Sequence, residues 1–494
     1  MVWLVGALLL LWLAWGPIVL LLAAVLLCVP RVRWWVQDRA QPDARSVGIV
    51  AATVTGLVAA MVAIPDGWLP IPPAPGAWAV PAYVGRPAAP HPIATEAPQN
   101  PHRAAGVPAS RPGPLGLQPE VDTAWLGTQR CGDLAPTSSG VLVARCTEGP
   151  TSLLRLVDPE TRRTTATHDL GEVDDDAACA GDAFYVDDRD RAVVAAERTV
   201  SAYGTAGSEL DVDGTWDLKP WIPFGDCVVG IAPDWAGLVW WVSRDGLVGT
   251  IEPASGRVAV LDLAEPVRHG LAVDEGGAYV VSDAALLRLA AGADGTPEVR
   301  WRTGNADSGS APVLLDGGVV AVTDEQEGRL GVVFLARDSG AALCRQAVFG
   351  KGAGATDSTL ASLGRGVVVA NNHGYSSPRS TLLGFTSDPG IARVDLAESG
   401  CVLRWTSDAV SPSSGATASW PTGLVYAWTK RPSLTGVSAW YLTALDAVSG
   451  RAMWSVRTGT GLMAGSDGSR ITLGADGSAW LGTLAGLVRV RDRS

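Results

Sequence analysis

The stretch LDAVSGRAMW, Leu445 to Trp454, puts an apolar strand residue, a turn closing on Ser449-Gly450 and a second apolar strand ending in tryptophan into ten residues. The same unit recurs as LARDSGAALC (Leu335 to Cys344), IEPASGRVAV (Ile251 to Val260) and, slightly lengthened, VDLAESGCVLRW (Val394 to Trp405), with a degenerate copy in VDPETRRTTA (Val157 to Ala166). Its glycines Gly256, Gly340, Gly400 and Gly450 lie 84, 60 and 50 residues apart. The widest gap has room for a hidden copy, whose end falls at Glu298 to Trp301. Around these units run short alternating segments rich in Val, Leu, Tyr and Trp, each bounded by Gly, Asp, Ser or Pro, which reads as an all-β domain. Sheets repeating at this period cannot bury both faces alone and stack around a channel. The expectation is therefore a β-propeller of four-stranded blades over residues 121–494, with eight blades and seven as the alternative. The last unit, Arg470 to Arg491, supplies only three strands, while Asp122 to Thr128 is an orphan strand at the other end. The N-terminal strand is expected to complete the C-terminal blade and close the ring.

The unit formed by Leu445, Asp446, Ala447, Ser449, Gly450 and Trp454 resembles the tryptophan-docking repeat of the pyrroloquinoline-quinone-like (PQQ-like) β-propeller family. That family includes quinoprotein alcohol dehydrogenases and, closer in character to this chain, the non-enzymatic outer-membrane assembly factor B-like propellers. The resemblance implies the fold, with each tryptophan packed between blades. Quinoprotein dehydrogenases carry two adjacent cysteines beside the cofactor. No two of the seven cysteines here are neighbours, so no quinone is expected.

Upstream of the repeats the composition changes twice. Val2 to Cys28 holds no charged residue and is long enough for a transmembrane helix, and Ser46 to Ile64 is a second uncharged run. Residues 1–65 thus read as a two-helix transmembrane hairpin (2–28 and 46–64) through which the chain meets the lipid bilayer. The connecting segment carries Arg31, Arg33, Arg39 and Arg45 against Asp38 and Asp43, so the positive-inside rule makes that loop cytoplasmic and places the N-terminus and propeller outside the cell membrane. The positive charge follows the apolar run rather than preceding it, which argues against a cleaved signal peptide. Residues 66–120 contain fourteen prolines and no apolar period, and are expected to be a disordered, semi-rigid spacer.

The whole chain of 494 residues has a net charge of −12, and residues 121–494 carry 31 basic against 45 acidic residues. Such a surface excludes nucleic acid as a partner. Six cysteines fall on the expected outside, an even number that argues for disulfides; the simplest of fifteen schemes pairs Cys131 with Cys146, Cys179 with Cys227 and Cys344 with Cys401.

Two segments could carry a site. Glu209, Asp211, Asp213 and Asp217 space carboxylates around Gly214 in a manner that would suit Ca2+, against the alternative of a solvated acidic turn. Asn371, Asn372, His373 and Tyr375 follow a strand and precede a long polar insertion, where they could line a ligand mouth or instead satisfy backbone groups in turns. Asp174 to Asp176 and Asp187 to Asp190 read as loop tips. There is no nucleophile elbow, zinc-protease motif or phosphate loop. No catalytic residue and no cofactor beyond Ca2+ is expected. The function these features favour is a membrane-anchored extracytoplasmic binding or scaffold module for an envelope protein or small ligand. The alternative is a propeller enzyme, a calcium-dependent lactonase or quinone-dependent dehydrogenase, since Val273 to Tyr279 and Gly474 to Trp480 loosely resemble blades of the gluconolactonase group.

Overall fold

The computed structural model describes residues 2–39, 64–93, 100–104, 108–172, 183–196, 198–304 and 308–493, with scattered positions between 45 and 59. Eight antiparallel sheets follow one another along the chain, seven of four strands and one of five. Each is a meander whose first strand faces the axis, and these inner strands, among them Phe184–Val186, Ala272–Asp274 and Ala361–Leu363, together line one central channel. The second strands Val239–Ser243, Gly277–Val281, Gly366–Ala370 and Ala479–Thr483 are buried at every residue, because sheets cover both faces. Outermost strands such as Val212–Asp217 are mostly exposed. The chain is an eight-bladed propeller.

Closure takes the expected form. Glu120–Trp125 pairs antiparallel with Gly486–Arg491 as the fourth strand of the last blade, with Asp122 opposite Arg489. The fourth blade ends in Pro297–Gly304, where the hidden copy was placed.

Tryptophans join the blades. The Trp301 indole donates to the Arg337 carbonyl of the fifth blade (2.9 Å) and covers Gly340, while Trp405 donates to the Ala447 carbonyl of the seventh (2.9 Å) and covers Gly450. Arg288 and Arg393, cross-strand from those tryptophans, donate to the same two carbonyls at 2.8 and 2.7 Å. The repeat glycine is therefore both the left-handed turn residue and the seat of the neighbouring blade's ring. In the third blade Val260 leaves the slot empty of nitrogen, and Thr250 Oγ1 donates to Gly295 O at 2.6 Å instead. In the fifth blade the slot holds Cys344, and its disulfide to Cys401, beside the repeat glycine Gly400, makes the link covalent. Replacing Cys344 and Cys401 together by alanine should lower stability by about 2–4 kcal/mol, read as a fall in the denaturation midpoint. Cys131 and Cys146 are bonded across one hairpin. Cys227 is disulfide-bonded as well; Cys179, its expected partner, lies outside the described residues, as does Asp174 to Asp176.

Two features depart from expectation, the continuity of the first apolar helix and the freedom of the segment that follows the second expected span. The run Val2 to Cys28 is two helices, α1 (Val2–Trp15) and α2 (Pro17–Leu27), followed by α3 (Pro30–Arg39). Pro17 has no N–H to continue the ladder, and Gly16 turns at φ 79°. Among the described residues no single helix is long and apolar enough to cross a membrane; α2 and Pro30–Asp38 of α3 are so only together, and they are bent by 99° at their break. Most of the second expected span, 46–64, lies outside the described residues.

Residues 66–120 are not a spacer where they are described. Ile71 and Ala88 are buried in the core of the seventh and eighth blades, with Tyr83 and Leu115 packed beside them. Tyr83–Gly85 adds the fifth strand to the seventh blade, against Trp454 to Val456. The chain then meets blade seven through His91 N to Thr422 O (3.1 Å), reaches blades three and two through Asn100 Nδ2 to Pro233 O (2.7 Å) and Ala104 N to Val186 O (3.1 Å), and returns where Trp420 N donates to Ala109 O (2.8 Å). It straps one end of the channel. A proline-rich segment cannot build a core, but single apolar residues can be seated in one that already exists.

Candidate functional site

The axial channel encloses about 1570 Å³ and is lined by all eight inner strands and by the strap. Its wall is charged in places. Arg470 holds Asp133 (Nε to Oδ2 2.6 Å) where the eighth and first blades begin. Across the channel Asp274 accepts from Tyr279 Oη at 2.7 Å and from Arg337 at 3.3 Å. The strap adds Arg103, stacked 5.6 Å from the Tyr185 ring, and Arg111, which donates to Leu473 O at 3.2 Å. Neither forms an ion pair with a carboxylate among the described residues, and burial lowers the Arg111 pKa. Sequence reasoning missed both arginines, because they sit in a segment whose composition has no fold of its own.

The Asn371 to Tyr375 segment lies at the end of the channel opposite the strap, in the loop between the second and third strands of the sixth blade. Asn371 is fully buried: Oδ1 accepts from Ala355 N and His373 N at 3.1 Å each, and Nδ2 donates to Ala353 O (2.9 Å) and Pro389 O (3.1 Å). Asn372 accepts from Thr356, Asp357 and Ser358 and donates to Ser411 O and Pro412 O at 3.0 and 3.1 Å. Both amides are thus clamps that fix loop backbone, and neither has capacity left for a ligand. His373 Nδ1 finds an acid at 2.7 Å, but it is Asp388 at the far end of the insertion, and both side chains are substantially exposed. Tyr375 Oη donates to Asp467 Oδ1 (2.8 Å); burial, with Asp467 beside it, raises the phenol's pKa and keeps the proton on. These four residues share a loop, and each side chain has a protein partner.

Glu209, Asp211, Asp213 and Asp217 do not form a donor set. All four are exposed, Asp213 and Asp217 lie on the outer strand of the second blade, and Asp213 is taken by Arg191 at 2.7 Å. An extended strand spreads residues along its length, whereas Ca2+ needs oxygens folded around a point. Among the described residues no three His, Cys, Asp or Glu side chains are grouped to hold a metal. Asp187 caps its own turn, accepting from Arg189 N and Arg191 N at 3.0 and 2.8 Å, as a loop tip does.

Lys430 was not singled out by sequence. It ends the second strand of the seventh blade, is 1% exposed, and donates from Nζ to the Phe385 carbonyl. Burial lowers its pKa to about 8. Between about pH 8 and the ordinary lysine value near 10.4, the unfolded chain holds a proton that the folded chain has lost, so stability rises with pH across this window. The full gain is on the order of 3 kcal/mol. Lys430→Met should remove that dependence, as measured by denaturation at pH 7 and pH 10.

No family model matches the chain. A curated protein of Archaeoglobus fulgidus, described only as uncharacterized, is 27% identical over 346 residues, 59% of this chain and 66% of its own length, just under two thirds of the relative. Among solved structures, the quinohemoprotein alcohol dehydrogenase of Comamonas testosteroni superposes with a TM-score of 0.51 at 11% identity, over 80% of this chain and 81% of that one. The C-terminal WD40 domain of Sif2 gives 0.46 at 8% identity over 75% and 99%, and a streptogramin B lyase 0.40 at 11% over 76% and 97%. These likenesses concern the propeller fold, which serves enzymes and scaffolds alike.

Proposed function

We propose that this chain is a membrane-anchored propeller displayed on the outer side of the cell membrane, where it binds an envelope protein or small ligand. The observation that carries the reading is the uncharged helical segment held against a loop of the seventh blade and the turn at Gly76. Ile18 N donates to Thr435 O (3.2 Å) and Gly76 N to Leu13 O (2.8 Å), while Leu10, Leu21 and Leu22 stand 67%, 60% and 54% exposed. Side chains of that kind need a lipid or protein cover. The two described disulfides fit an oxidising compartment. The channel is the natural ligand cavity, and the strap arginines Arg103 and Arg111 favour an anionic group there.

Full-length chain expressed in bacteria should stay with membranes through an alkaline carbonate wash, and its propeller should be cut by protease added to intact cells. Leu10→Arg combined with Leu21→Arg should shift much of it to the soluble fraction. Wild-type chain released by carbonate, or protected from external protease, would contradict the proposal.

A further inference from the structure

We infer that the propeller rim around the sixth and seventh blades is itself seated in lipid, so that the bilayer touches loops of the β-domain as well as the N-terminal helices. The inference rests on the membrane reading above. The loops that leave the second strands of these two blades and the loop that leaves the fourth strand of the seventh all lie at the channel end opposite the strap. On them Leu383, Phe385, Leu434 and Met463 are 62%, 69%, 103% and 44% exposed, and Trp78, in the short helical turn touching α1, is 82% exposed. Isolated apolar residues on a surface require no explanation, but these are one patch.

Contacts between the loops tie the patch together. Ser433 N donates to Gly384 O (3.1 Å) and Ser438 Oγ to Thr381 O (2.8 Å), which fixes Leu383 and Phe385 beside Leu434. The Gly16-Pro17 break between α1 and α2 sits on the same loop, with Ile18 N bonded to Thr435 O and Pro17 against Gly436. Leu383 is held left-handed at φ 52°, a conformation leucine adopts at a cost. The backbone is strained in the loop that presents it.

Charge selects lipid over a generic apolar partner. Residues 378–386 and 431–438 contain no carboxylate, in a domain with a large acidic excess, and each carries one arginine, Arg379 and Arg431. The acids that follow Phe385 and Met463 in sequence are engaged, Asp388 with His373 and Asp467 with Tyr375. Aromatic and aliphatic tips flanked by arginine are the chemistry of the headgroup boundary. Continuity with an uncharged helical segment makes the bilayer the occupant.

The test uses full-length chain carrying Cys28→Ser and a nitroxide label at Leu434→Cys, reconstituted into vesicles of phosphatidylethanolamine and phosphatidylglycerol. A label at Val448→Cys serves as reference, since Val448 is 57% exposed on the same blade but at the strapped end. The label at 434 should be several-fold more accessible to oxygen than to a water-soluble nickel chelate, and the label at 448 the reverse. If both labels favour the nickel chelate while the chain floats with the vesicles, the rim inference is wrong and the anchor stands. If the 434 label is shielded from both reagents, the patch is a protein interface, which also overturns it. Chain that fails to float overturns the membrane reading itself.

Discussion

Asp122→Ala should destabilise the folded chain by about 3–5 kcal/mol, because it strips from a buried guanidinium the one carboxylate within hydrogen-bond reach among the described residues. Arg489 has no exposed surface, and its Nε and Nη2 reach Asp122 Oδ2 at 3.1 and 2.6 Å. The remaining partners are the Pro159 carbonyl of the first blade and the Trp480 ring, 5.4 Å from its carbon centre, with Glu160 only at 4.0 Å. A carbonyl and a ring face cannot replace a carboxylate charge. The pair sits at the one place where the ring is closed by strands from the two ends of the β-domain, so its loss acts on the seam rather than on a single blade. Amide exchange should accelerate first along Glu120–Trp125 and Gly486–Arg491. The neighbouring pair Arg491 with Glu120, at 3.2 Å but about a third exposed on both sides, gives the control. Glu120→Gln should change stability by less than about 1 kcal/mol. Equal effects from the two variants, measured by thermal denaturation in mild detergent, would mean the buried pair does not hold the seam.

The ring was readable from sequence because its units share a left-handed turn, closed by Gly256, Gly340, Gly400 and Gly450. A serine precedes each of these glycines, and a tryptophan follows four residues on at Gly450 and Trp454, where Val260 and Cys344 stand in the third and fifth blades. Closure was readable for a related reason: an orphan strand at Asp122 and a blade lacking its outer strand each leave backbone groups unpaired. The strap was not readable. Ile71, Ala88 and Leu115 are single apolar residues among prolines, and only the grooves of the seventh and eighth blades give them a place. The break at Gly16 was overlooked for the opposite reason, since a Gly-Pro pair in an apolar run reads as tolerated until the backbone shows Gly16 turned against Val437. Asn371 and Asn372 illustrate why the candidate site was only partly legible. Amides after a strand are ambiguous in sequence, and the choice between ligand and backbone was made by carbonyls 18 to 40 residues away.

The repeat itself allows a sharper test, because two of its glycines share a conformation and differ in what lies above them. Gly256 and Gly450 turn at φ 72° and 70°, and each donates its N–H back four residues, to Glu252 O and Asp446 O. A β-carbon at Gly256 would meet nothing within 4 Å, whereas one at Gly450 would press into the Trp405 ring. Gly256→Ala should thus cost only the left-handed strain, about 1–2 kcal/mol. Gly450→Ala adds displacement of a buried indole from its seat, about 1–3 kcal/mol more, and threatens the 2.9 Å bond to Ala447 O. Gly340→Ala should behave like Gly450→Ala, since Trp301 covers it in the same way. The excess belongs to the ring and not to the turn. In a Trp405→Val background, which copies the Val260 slot of the third blade, Gly450→Ala should fall back to the cost seen at Gly256, and the double-mutant cycle should return a coupling of about 1–3 kcal/mol. A coupling near zero would mean that the tryptophan does not join the sixth blade to the seventh through this glycine.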